Sequence, residues 1–210
     1  MSKCVLVLGA GGHAAVLVDI LRQLNHTIVG LVARDKPADK PVFTGIPYYA
    51  SDDDVLTFDK YKVLLVNGIG SLPGRTTRAE VHQKFKHAGY QFMNVVSPHA
   101  IISKYSRLAE GVQVMPGAII NTNSVIGDGT IINSGAIVEH DCDIGLHNHI
   151  APGVTLSGDV STGDNVHIGT GAHIIHGIKI GDNVMVGAGA TVTKNLGNNQ
   201  KLYVAKPYLV

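Results

Sequence analysis

Residues 114–150 read VMPGAIINTNSVIGDGTIINSGAIVEHDCDIGLHNHI. An aliphatic side chain returns at every sixth place: Val114, Ile120, Ile126, Ile132, Val138, Ile144 and Ile150. The register runs back through Leu108, Ile102 and Val96, and forward through Leu156, Ile168, Ile174, Ile180 and Val186 to Val192. Thr162 is its one break. A helix repeats about every 3.6 residues and a strand every second one, so neither explains the pattern. A six-residue period marks a parallel β-helix, in which each short strand and its turn form one side of a coil.

A second row supports this reading. Four places after each aliphatic stand Val112, Ala118, Ser124, Thr130, Ala136, Cys142, Asn148, Val154, Val160, Val166, Ala172, Ile178, Val184 and Ala190. Small and β-branched side chains fit a narrow triangular interior and favour extended backbone. Glycine and Asp-Gly, Asp-Asn and Gly-Asp pairs supply the corners. Three hexads close a coil, so residues eighteen apart stack roughly 4.8 Å from one another. The uninterrupted hexads predict about five to six coils, each burying its core only against its neighbours.

The amino-terminal part reads as an α/β unit. Cys4 to Leu8 is a buried strand, Gly9-Ala10-Gly11-Gly12 a tight turn, and His13 to Leu24 a helix. Val16, Leu17, Ile20, Leu21 and Leu24 form its apolar face. Further strands are expected at Thr27 to Val32, Tyr61 to Asn67 and Phe92 to Val95, and a second helix at Arg75 to Ala88. Asp35 to Pro47 reads as loop, and Asp52-Asp53-Asp54 as the cap of a short turn. The division is residues 1–95, a Rossmann-like domain, and 96–210, the solenoid with its tail.

Composition narrows the function. The 17 Lys and Arg against 16 Asp and Glu leave a net charge of +1, without the basic excess of a nucleic-acid-binding surface. Cys4 and Cys142 occupy core positions and read as reduced thiols of a cytoplasmic protein. The apolar start at Val5 to Leu8 is too short to span a membrane.

Two segments carry chemistry. In Val138-Glu139-His140-Asp141-Cys142, His140 stands two places after inward-facing Val138 and so projects from the prism. Asp141 is placed to orient its ring. An imidazole with an ordinary pKa of about 6.5 accepts a proton near neutral pH. The plainer reading is a solvated turn residue. Gly9-x-Gly11-x-x-Ala14, between strand and helix, fits a dinucleotide fingerprint, although no acidic residue ends the second strand; Arg34 and Asp35 follow it. Gly68-Ile69-Gly70-Ser71 is a second candidate nucleotide loop, with Arg75 and Arg78 placed to face a pyrophosphate. His173 and His176 suggest a metal pair, but no complete ligand set has standard spacing, and no metal is expected. Cys142 lies on the inward row, where a thiol is inert, so a covalent acyl-enzyme is not expected.

Together, the Gly-x-Gly-Gly-His opening, the unbroken hexads and the Val-Glu-His-Asp-Cys segment followed by His149 resemble the acetyl-CoA-dependent sugar acetyltransferases of bacterial glycan pathways. The likeness is to the nucleotide-amino-sugar N-acetyltransferases of the PglD type, within the hexapeptide-repeat acyltransferases and the sialic acid O-acetyltransferase group. The resemblance implies a left-handed β-helix and a homotrimer with active sites between subunits. It implies acetyl-CoA as co-substrate and direct transfer to the 4-amino group of a UDP-linked 4-amino-4,6-dideoxy sugar. It makes His140 the general base supported by Asp141. It places His149 near the acetyl carbonyl, and Gly158, Thr170 and Ala188 against coenzyme A. Gly158, one coil after His140, would leave room for the pantetheine arm. Gly11, Gly12, His13, Asp35 and Gly68 would meet the nucleotide sugar. The family's closing Gly-x-Pro-Ala-Lys is altered here to Val204-Ala205-Lys206-Pro207-Tyr208. O-acetylation of a sialic acid, a non-catalytic scaffold and an NAD-dependent oxidoreductase are the competing readings.

Overall fold

The structure is a computed structural model that describes residues 4–36 and 39–204. The chain forms two compact units, Met1–Pro98 and His99–Val210. The altered closing segment at Ala205 to Tyr208 lies outside the described residues.

In the first unit, strands β1 (Cys4–Leu8), β2 (Thr27–Val32), β3 (Tyr48–Tyr49) and β4 (Val63–Asn67) form a parallel sheet in the order β3-β2-β1-β4. Helices α1 (Gly12–Gln23) and α2 (Thr77–His87) complete it. β1 is central and its residues from Val5 to Leu8 are buried, which accounts for its unbroken apolar run. The expected apolar face of α1 needs correction. Val16 is 42% exposed and Leu24 36%, while Ala14 and Val18 join Leu17, Ile20 and Leu21 in the core. β3 lies just past the stretch read as loop, added to the edge of β2 through Leu31 and Val32. The fourth expected strand reduces to a bridge between Phe92 and Leu65 and a short pair at Val95–Val96. The acidic run from Asp52 is capped by the residue before it: Ser51 accepts from the Asp53 amide, and Asp54 accepts from that of Ser51.

In the second unit every hexad makes a two-residue strand, and successive strands pass in turn to three parallel sheets. Ile132 pairs with Ile150, Ile150 with Ile168 and Ile168 with Val186, the eighteen-residue stacking expected of a triangular coil. From Val114 to Val192 the aliphatic row is buried, and so is the small row from Val112 to Ala190. Asn and Asp at positive φ, such as Asn123, Asp141, Asp159 and Asn165, share the corners with glycine.

The break at Thr162 has a cause inside the prism. Asn148, on the small row, donates from Nδ2 to Thr162 Oγ1 (2.6 Å) and to the Gly163 carbonyl (2.9 Å). Its Oδ1 accepts from the Val166 amide at 2.6 Å. An aliphatic at 162 would leave that buried amide short of a partner. Outside, carboxylates lace the coils: Asp164 Oδ1 accepts from the Leu146 amide (2.8 Å), and Asp182 Oδ1 from that of Asp164 (2.9 Å).

Candidate active site

His140 lies in the corner between the strands Ile137–Val138 and Asp143–Ile144. Its side chain is about half exposed. Asp141 takes the left-handed conformation at φ 62°, which Asp tolerates better than most residues. This turn brings the two side chains together, with His140 Nδ1 2.7 Å from Asp141 Oδ2. Asn123, one coil earlier, donates to Asp141 Oδ1 at 3.2 Å and steadies the carboxylate. With Nδ1–H committed to Asp141, the ring's lone pair is on Nε2, the atom a general base needs.

The charges reinforce this arrangement. The hydrogen bond to Asp141 holds the His140 pKa above its ordinary value, aided by the nearby carboxylates of Glu139 and Asp159. The same bond, with that from Asn123, holds Asp141 below its ordinary value. Because the base acts when neutral, activity carried by His140 falls as pH drops through this raised pKa. Asp141→Asn removes the anion yet suits the corner conformation. Its acid limb in kcat/KM is therefore expected to move to lower pH, with a reduced plateau, measured across pH 5 to 9. An unmoved limb would separate Asp141 from the titrating group.

Gly158 stacks one coil beyond His140. A Cβ at 158 would lie 2.5 Å from His140 Cε1 and 2.7 Å from Nε2. The imidazole occupies the place that a side chain at 158 would take. His176 follows in the same column, its ring centroid 6.5 Å from that of His140. Cys142 points inward. Burial pushes its thiol up to about 11, a poor state for a nucleophile.

His149 is elsewhere. It opens the strand His149–Ile150 in the third sheet, the face opposite the His140 corner in a triangular coil. It is 9% exposed, and its ring meets that of His167 edge-on at 4.9 Å. Asn133 sets its tautomer. The Ser134 amide donates to Asn133 Oδ1 (2.8 Å), so the Asn133 NH₂ faces His149 Nε2 at 3.0 Å. Nε2 then accepts, and the ring proton resides on Nδ1. Burial lowers the pKa of His167 beside it. Thr170 and Ala188 are exposed on the corner that bounds this face. One protomer thus groups His140, Asp141 and Gly158 at one corner, and places His149, Thr170 and Ala188 across the prism.

In the first unit, the glycines of the turn divide into two kinds. Gly9 has φ 107°, and a Cβ at Gly68 would lie 2.8 Å from that of Ala14, so the fold itself demands glycine at both. A Cβ at Gly11 or Gly12 would meet nothing within 4 Å. Gly11 caps α1 without a side-chain hydrogen bond, and no acidic residue stands in the first turn. Gly70 lies beside His13, its position for a Cβ 3.6 Å from that of His13. Asp35 is exposed at the bend after β2, and a cavity of about 400 Å³ opens nearby, lined in part by Lys36, Lys40, Phe43 and Tyr48. Arg78 departs from expectation. It is buried and bonds to backbone carbonyls, so it does not face a pyrophosphate. Desolvation lowers its pKa to about 9.

Among the described residues no group of three or more His, Cys, Asp or Glu is arranged to hold a metal ion. No described helix is long and apolar enough to cross a membrane.

Known proteins share both units. Residues 4–85 match the PglD N-terminal domain, and residues 123–158 and 159–194 match the bacterial transferase hexapeptide family. A His-to-Asn variant of perosamine N-acetyltransferase from Caulobacter crescentus, solved with CoA and GDP-perosamine, is 34% identical. That match covers 95% of this chain and 92% of that one, with a TM-score of 0.86. PerB of the same organism, with the same two ligands, is 36% identical over 93% and 91%, with a TM-score of 0.83. The acetyltransferase domain of PglB from Neisseria gonorrhoeae, in complex with acetyl coenzyme A, is 25% identical over 96% of each chain, with a TM-score of 0.87. No curated protein matches in sequence.

Proposed function

This chain belongs to the hexapeptide-repeat acyltransferases with a PglD-type N-terminal domain, the acetyl-CoA-dependent sugar N-acetyltransferases, and from that premise we propose that it acetylates the 4-amino group of a UDP-linked 4-amino-4,6-dideoxy-N-acetylhexosamine. The observation that carries the reading is the corner where Asp141 orients His140 and Gly158 leaves room for the ring. His140 Nε2 takes the amine proton as the nitrogen attacks the thioester carbonyl. The tetrahedral intermediate collapses, the C–S bond breaks, and the proton passes to the departing thiolate. His149 lies beside the acetyl group of the coenzyme. Thr170 and Ala188 lie along the coenzyme.

This chemistry needs two copies of the chain. His140 and His149 lie on opposite sides of one prism, so they meet the same thioester only when the corner of one protomer faces the sheet of another. Parallel prisms packed side by side as a homotrimer supply that meeting. The open space over Gly11 and Gly12, at the N-terminus of α1, suits the diphosphate of the nucleotide sugar. The lysine- and aromatic-lined cavity by Asp35 suits its base and ribose.

A GDP-linked acceptor is the second reading, favoured by the GDP-perosamine complexes of the relatives at 34% and 36% identity. The test offers acetyl-CoA with UDP- and GDP-linked 4-amino sugars and with a sialic acid, following release of free thiol. Turnover highest with the UDP amino sugar is the expected result. Preference for the GDP sugar would move the assignment to the second reading. Turnover confined to the hydroxyl acceptor would overturn N-acetylation.

A further inference from the structure

Beneath the loop beside the glycine turn lies a buried pair, Asn67 at the end of β4 and Arg78 in the first turn of α2. They are 2% and 6% exposed. Arg78 Nη1 donates to the carbonyls of Asn67 (2.8 Å) and Ile69 (2.7 Å). Asn67 answers in both directions: its Nδ2 donates to the Arg78 carbonyl at 2.9 Å, and its Oδ1 accepts from the Ile69 amide at 3.2 Å. A guanidinium is a costly group to bury, and an aliphatic would fill the same volume. What an aliphatic lacks is the means to hold two carbonyls at once.

Those carbonyls set the exposed side of the loop. In a trans peptide the C=O and N–H point in opposite directions. Drawing the Ile69 carbonyl onto Arg78 turns the Gly70 amide away from the guanidinium, and Gly70 is the residue that lies beside His13. The same loop is packed tightly on the glycine turn. The Gly68 amide donates to the Leu8 carbonyl at 2.7 Å, and a Cβ at Gly9 would approach the Gly68 carbonyl to 3.1 Å. A loop released from Arg78 is free to retreat from the turn and carry its outward amides with it.

We infer that Arg78 is a positioning residue for the nucleotide sugar: its grip on the Asn67 and Ile69 carbonyls holds the Asn67–Gly70 loop against the glycine turn in the shape that receives the diphosphate. Arg78 touches no substrate and takes no part in the acetyl transfer. The inference rests on the assignment of the glycine turn to the nucleotide sugar and adds the residue that builds the site.

The test compares the full-length protein with Arg78→Lys and Arg78→Met. Calorimetry measures UDP, GDP and CoA binding, and kinetics separates KM for the amino sugar from kcat. Arg78→Met is expected to bind the nucleoside diphosphate at least about tenfold more weakly, with Arg78→Lys between it and the unaltered protein. KM for the sugar should rise in step, with CoA affinity and saturated kcat preserved. Methionine removes every donor, so its loss should be the full one; lysine brings one nitrogen with three N–H donors on a shorter arm, so it should keep part of the grip and be impaired less. Wild-type nucleotide affinity and KM in Arg78→Met would show that the grip on the two carbonyls is not what holds the loop, and would overturn the inference. Equal loss of CoA binding in both variants would make Arg78 a general structural residue, which also overturns it. Failure of the unaltered protein to bind either nucleotide would instead overturn the assignment of the turn, a separate result.

Discussion

Turnover in His140→Ala is expected to fall by about 10²-fold or more, with CoA and nucleotide binding preserved. The side chain is half exposed and packs into no core. The corner's backbone tie, from the Asp159 amide to the His140 carbonyl at 3.0 Å, survives its removal. The loss is therefore chemical: without Nε2, nothing at that corner takes the amine proton as the nitrogen attacks. Steady-state release of free thiol gives kcat and KM, and an unchanged melting temperature confirms the fold. Near-wild-type turnover would remove His140 from the reaction.

Gly158→Ala is expected to lower kcat by about 10- to 100-fold without removing any group that reacts. Gly158 is not among the glycines at positive φ, so alanine suits the backbone. The obstacle is the imidazole, with Cε1 at 2.5 Å and Nδ1 at 3.1 Å from the new methyl. An exposed ring gives way more readily than a stacked coil, so His140 swings aside and loses its 2.7 Å bond to Asp141. Its pKa then relaxes toward the ordinary imidazole value, and the acid limb of the pH profile moves down. Wild-type kcat with an unmoved limb would mean that the ring does not work from its place over Gly158. The pair of variants separates two losses: alanine at 140 removes the base, whereas alanine at 158 leaves it in the molecule but out of position.

Periodicity made some of this legible in advance and not the rest. The hexads announced which residues face inward, and the buried rows from Val114 to Val192 and Val112 to Ala190 bear that out. They also announced that His140 leaves the wall and that Gly158 stacks on it. They were silent on which object would fill the gap, because a rotamer is chosen by neighbours and not by period. The reading of Arg78 as phosphate-facing went astray for a related reason. A helix pattern marks an exposed cation as the usual case, and only the Asn67 and Ile69 carbonyls, brought near by β4, draw this one inside. On α1 Val16 is expected on the apolar face, whereas the set that packs, Ala14, Leu17, Val18 and Leu21, has three- and four-residue spacing and leaves Val16 exposed. Asn133 gave no cue in the chain, since its effect on His149 depends on an amide orientation set by the Ser134 backbone.

The amino-acid order by itself determined the solenoid, its register and the side of the wall on which each histidine emerges. A strict repeat restates one inward register at every coil, so the rows that face the interior are legible from the order alone. The tertiary structure alone decided how the chemistry is distributed. It seated the His140 ring over Gly158, set the proton of His149 on Nδ1, drew Arg78 beneath the nucleotide loop and put His140 and His149 on opposite sides of the prism. These outcomes depend on contacts and hydrogen bonds between residues distant in the chain, or on the direction a side chain takes once its neighbours are in place, and a local period carries neither.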